Sequence, residues 1–106
     1  MPGNRDWNKA VADQPYNDDA YVELSPNANT QRHPPDGTDF DAPWDYFVVE
    51  NKSPNDIRVC WDSNANITTG QKLTTGQIGR FPRRAESFIS IYGGNGTAIP
   101  IRMFRW

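Results

Sequence analysis

One cysteine and one histidine among 106 residues remove several kinds of chemistry at the outset. Cys60 has no partner for an internal disulfide, and its place inside a strand-like run reads as an inert thiol. Zinc sites are built from clusters of Cys and His, which one of each does not supply. A hydrolytic triad needs a histidine beside a nucleophile, whereas His33 is followed by Pro34 and Pro35 in an irregular stretch and reads as a loop residue. No glycine-rich loop leads from a strand into a helix, so a nucleotide has no cradle. Long apolar runs are missing too, including behind Met1-Pro2-Gly3-Asn4-Arg5-Asp6, where a signal peptide would lie. The expectation is therefore a protein made in the cytoplasm, without a membrane span, cofactor or metal, and not an enzyme.

What is present is unevenly spread. Residues 1–45 carry three basic side chains (Arg5, Lys9, Arg32) against nine acidic ones, whereas residues 46–106 carry eight basic against four acidic. The net charge of −2 hides this split. Opposite charges on two parts of one chain favour contact, within a molecule or between neighbours, and salt weakens it. Residues 1–43 read as a long, largely irregular N-terminal arm with large apolar side chains at intervals: Trp7, Val11, Tyr16, Tyr21, Val22, Leu24 and Phe40, with Trp44 at its end. Asp6 is placed to cap a short helical turn that puts Trp7 and Val11 on one face, with Pro15 limiting its length. Ala20 to Leu24 has the make-up of a short strand, and Ser25 to Pro43 offers turn chemistry with no sustained period.

From Trp44 to Trp106 the period changes to two, which marks half-buried strands. Strands are expected at 44–50, 57–62, 67–69, 71–74, 77–81, 86–92 and 97–105. Gly93-Gly94-Asn95-Gly96 is expected to close a hairpin between the last two. With inward Val, Ile, Trp and Leu and no amphipathic helix, the fold class is all-β, a small antiparallel β-sandwich or barrel preceded by the arm. Asn51, Asn66 and Asn95 each begin an N-x-S/T tripeptide, read here as turn chemistry.

Two clusters carry charge. Asp36, Asp39 and Asp41 in DGTDFD have the look of a calcium loop but lack the downstream bidentate Glu, so no metal is assigned. Arg80, Arg83 and Arg84 surround Phe81; in an acidic chain they suit carboxylates of a protein partner better than nucleic acid. The partner-binding candidates are thus Trp7, Val11, Tyr16, Tyr21, Leu24, Phe40, Trp44, Arg80, Arg83 and Arg84. A second reading uses Trp44, Tyr46, Tyr92 and Trp106 to stack on glycans.

A first strand closing on Asn51-Lys52-Ser53, a strand ending in Trp61-Asp62, the spacing Gly70, Leu73, Gly76, and Gly93, Gly94 and Gly96 before Ile99 and Ile101 form a recurring order. That order resembles the small β-domains of tailed-bacteriophage virion proteins, especially capsid decoration (cement) proteins. The resemblance covers about sixty residues and contains no catalytic or ligand motif. It implies a virion protein on the capsid exterior, often a homotrimer, that clamps subunits of the major capsid protein. The alternative is a glycan- or receptor-binding piece of a tail or fibre.

Overall fold

The computed structural model describes residues 20–105. Trp7, Val11, Tyr16 and Trp106 lie outside the described residues. Eight strands follow in order: β1 (Ala20–Leu24), β2 (Gln31–His33), β3 (Tyr46–Glu50), β4 (Ile57–Trp61), β5 (Gln71–Leu73), β6 (Ile78–Phe81), β7 (Ile89–Gly93) and β8 (Ile99–Phe104). They form two four-stranded antiparallel sheets, in the orders β1-β8-β3-β6 and β2-β7-β4-β5. We call these sheet A and sheet B.

Period two dictates the layering. Phe47 and Val49 of β3, Phe81 of β6 and Ile99, Ile101 and Met103 of β8 alternate with outward residues and meet Ile57 and Val59 of β4, Leu73 of β5 and Ile89 and Ile91 of β7. These side chains are nearly solvent-free, and burying each stabilises the fold by about 1.5–3 kcal/mol. One end of the core is aromatic, with Phe47 stacked on Phe81 at 4.8 Å between centroids and Trp61 edge-on to Phe47 at 5.8 Å.

The pairing has a simple rule. The first strand pairs with the eighth, the second with the seventh, the third with the sixth and the fourth with the fifth. A long antiparallel hairpin folded at β4–β5 and rolled up gives this order, the topology of an eight-stranded jelly roll. Only β4 and β5 are neighbours both in sequence and in a sheet.

That rule corrects the expected terminal hairpin. β7 belongs to sheet B and β8 to sheet A, so the glycine-rich segment crosses between sheets. Four consecutive residues take positive φ: Gly93 at 103°, Gly94 at 81°, Asn95 at 53° and Gly96 at 77°. At Gly93 a Cβ would also stand 2.7 Å from the carbonyl oxygen of Asp56.

Residues 20–43 do not form a separate irregular arm. β1 pairs along its whole length with β8, and β2 pairs with β7, so this stretch supplies one edge strand to each sheet. Between and after them Arg32 organises the loop. Its Nε donates to the Pro34 carbonyl at 2.7 Å, its Nη2 donates to the Thr38 carbonyl and pairs with Asp39 at 3.1 Å, and its guanidinium lies 3.7 Å from the centre of the Phe88 ring.

The strand expected at 67–69 is a bend. Asn66 and Thr69 exchange backbone hydrogen bonds, and the Asn66 side chain accepts the N–H and hydroxyl of Thr68. Ile67 is left 69% exposed. Such a local Asn turn competes with strand pairing and wins here. The expected strand at 86–92 begins only at Ile89, because the N–H groups of Glu86 and Ser87 donate to the Asp62 carboxylate instead of to a ladder.

Candidate protein-contact surface

The two sheets differ in what covers their outer faces. On sheet B, Cys60 stands opposite Ser90, and both are buried although they alternate with core residues. The loop after β4 lies over them. Ser90 Oγ accepts the Ala65 N–H at 2.9 Å and donates to the Ser63 carbonyl at 2.7 Å, while the Thr30 hydroxyl donates to the Ala65 carbonyl. The Cys60 thiol is thereby sealed in. Asn51, also fully buried, spends its amide on the Asn55 and Leu73 carbonyls and its oxygen on Ser53, which gives the first N-x-S tripeptide a structural role.

Sheet A presents an open central region. Register places Tyr21 opposite Arg102, Arg102 opposite Val48, and Val48 opposite Arg80, so these four residues form one row across all four strands. In the next row Glu23 faces Pro100 and Glu50 faces Ile78. Tyr21 (48%) and Ile78 (45%) are large apolar side chains exposed here. All of these residues except Glu23, together with Lys52, line a shallow groove of about 170 Å³. An apolar centre (Tyr21, Val48, Pro100, Ile78) with charges of both signs among it has the composition of a protein-contact patch.

Toward the other end of β3 and β8, Tyr46 faces Phe104. Both alternate with core residues and so point outward, yet they are 1% and 2% exposed and stand apart from the core cluster. Their rings meet edge-on at 6.0 Å. Burial pushes the Tyr46 phenol above its usual range, with Arg80 pulling the other way. The Tyr21 phenol is raised by desolvation and by Glu23, opposed by Arg102.

The candidates from sequence divide. Tyr21 and Arg80 lie on the open face of sheet A. Arg83 and Arg84 are exposed in the loop after β6, where Arg84 reaches Asp45 at 3.9 Å. Leu24 and Trp44 belong to the core, at 9% and 6% exposure, and Phe40 packs partly against it, so none of these three is the expected surface anchor. Trp44 pairs with Ala85 and is capped by Arg105, whose guanidinium sits 3.5 Å from the ring centre while donating to the Pro43 and Ala42 carbonyls. The Asp36–Asp39 pair is drawn to Arg32, and among the described residues no three His, Cys, Asp or Glu side chains gather as a metal site. His33 packs 5.8 Å from Phe40, and burial lowers its pKa.

Arg102, Val48, Pro100, Glu23, Glu50 and Ile78 were missing from the sequence-based candidates. Each strand's outward parity was readable, but their assembly into one face needs the register between β1, β8, β3 and β6. No protein family, curated protein or solved structure matches the chain, so its strand order and this surface are the observations that bear on function.

Proposed function

We propose that this chain is a non-enzymatic virion structural protein, a capsid decoration protein that binds the outer surface of the major capsid shell. In this reading homo-oligomers, trimers by resemblance, clamp capsid subunits through the N-terminal residues Trp7, Val11 and Tyr16 and through the module. The observation that carries it is the asymmetry of the sandwich. On one outer face the loop after β4 covers Cys60 and Ser90, and the other offers the Tyr21–Arg102–Val48–Arg80 row beside Glu23, Glu50 and Ile78. Jelly rolls recur in viral capsid domains, which supports the reading by analogy of architecture; they also occur in lectins and cupins, so the surface must carry the argument.

Quantitative mass spectrometry of virions that carry the protein tests this directly. A decoration protein is present in hundreds of copies per particle, on the order expected for a shell lattice, and the Tyr21→Ala and Arg80→Glu variants bind stripped particles at least about tenfold more weakly. A dozen copies or fewer, or unaltered binding by both variants, overturns it. The glycan reading loses two stacking platforms, because Trp44 lies in the core under Arg105 and Tyr46 is buried.

A further inference from the structure

We propose that the outer face of sheet A is the docking site of the chain's own residues 1–19, held there within one molecule. The capsid reading uses the same face and the same segment, so on that reading capsid binding displaces residues 1–19 from the face; the docking itself does not depend on it.

The chain enters the described fold beside this face. Ala20 is opposite Met103, which is itself opposite Phe47, so residue 20 stands at the Tyr46–Phe104 end of sheet A. The outward residues then follow a charge order. Next to that end lies the row holding Arg102 and Arg80, and beyond it lie Glu23 and Glu50, with Lys52 beside them. Residues 1–19 carry the complementary order. Asp13, Asp18 and Asp19, with no basic residue among them, are nearest to residue 20, whereas Arg5 and Lys9 are far from it, with Asp6 the one acidic residue among them. A segment running from residue 19 away from the Tyr46–Phe104 end therefore meets cations with its acidic part and anions with its basic part.

Apolar fit agrees with charge. Trp7, Val11 and Tyr16 are spaced along this segment, and the face has an apolar groove among its charges, next to two outward aromatic side chains that are already dry. Reach is ample. From the Tyr46–Phe104 row to the row of Glu23 and Glu50 is four residues of strand, roughly 13 Å, and 19 residues cover roughly 28 Å even when helical. Covalent continuity supplies an effective concentration in the millimolar range, about the level at which several weak contacts hold together. That is why the same molecule, and not a second copy, is the occupant.

Trypsin supplies the test on the full chain, because Arg5 and Lys9 are cleavage sites inside the segment. Cleavage after Lys9 is followed by mass spectrometry, with circular dichroism verifying that each variant is folded. In the wild-type protein it is expected to be at least about tenfold slower than in a synthetic peptide of residues 1–19, and faster in high salt. Arg80→Glu with Arg102→Glu brings it to the peptide's rate, and adding Asp18→Arg with Asp19→Arg restores protection. Should the arginine variants fail to fold, the Asp18→Arg/Asp19→Arg protein alone reads the same contact by its loss of protection. Cleavage of the wild type at the peptide's rate overturns the proposal, as does protection that survives both sets of substitutions. Protection that rises with protein concentration overturns it in favour of a second copy as host.

Discussion

Asp62, just after β4, and Ser87, just before the neighbouring β7, are joined by a 2.6 Å hydrogen bond from the Ser87 N–H to the Asp62 carboxylate. The same carboxylate accepts the Glu86 N–H at 3.0 Å, while the Asp62 N–H donates to the Phe88 carbonyl at 2.8 Å. Asp62 reaches this position with φ at 59°, a conformation Asp and Asn tolerate better than most residues. The residue ends β4 and holds the start of β7 at once. Asp62→Ala removes the charge-assisted bonds and keeps the unfavourable φ, so a loss of about 1–3 kcal/mol is expected in chemical denaturation. Asp62→Asn retains an acceptor oxygen and loses less. Equal losses for the two would show that the carboxylate geometry is not the cause.

Asn51 makes a sharper case, because every bond it forms is inside the protein. Asn51→Ala strands the Leu73 carbonyl and the Ser53 N–H, while the Asn55 carbonyl keeps the Ser53 hydroxyl, for an expected cost of about 2–4 kcal/mol. Asn51→Asp sets a carboxylate against those two carbonyls, so it is worse at neutral pH and recovers in part when acid protonates it. Thermal unfolding at several pH values measures both effects.

At the crossing between β7 and β8 two glycines with similar φ predict different outcomes. Gly93→Ala brings a Cβ within 2.7 Å of the Asp56 carbonyl oxygen, whereas Gly96→Ala enters open space. The first is expected to lose at least about 3 kcal/mol and the second, which bears only backbone strain, about 1 kcal/mol. Denaturation midpoints of the two variants give the comparison.

His33 gives the protein a pH dependence of definite sign. Burial lowers its pKa below the ordinary 6.5, so the folded chain prefers the neutral ring. Below 6.5 the unfolded chain binds more protons than the folded one, and stability therefore falls with falling pH until the lowered folded-state pKa has been passed. Above 6.5 the contribution is fully present. His33→Phe keeps an aromatic ring beside Phe40 and should flatten that part of the stability profile. A profile identical to wild type between pH 5 and 7 would assign the dependence to other groups.

Legibility followed the range of the interactions. The alternation in Phe47–Val49, Ile57–Val59 and Ile99–Ile101–Met103 was readable because a strand exposes each face every second residue, and the all-β class follows from it. The 67–69 strand failed where a side chain within two residues, Asn66, outcompeted pairing. Leu24 and Trp44 looked like anchors of a tail because nothing near them in sequence shows a core; the residues that bury them come from β8, Ala85 and Arg105. Of the contact surface, Tyr21 and Arg80 were visible as isolated residues, but the row that joins them through Arg102 and Val48 was not.

By itself the sequence determined what is local: strands of period two, turns at Asn51, Asn66 and the glycine run, a charge split between the two halves, and too little Cys and His for a Cys/His zinc cluster or an internal disulfide. Only the tertiary structure decided which strands are neighbours. A glycine run with positive φ serves equally to close a hairpin or to cross between sheets, and β7 and β8 went to different sheets because β2 and β1 were there to pair with them. With that choice the acidic first half ceased to be only an arm, since residues 20–33 complete both sheets. The open face of sheet A then became the surface on which the remaining chemistry of the chain is arrayed.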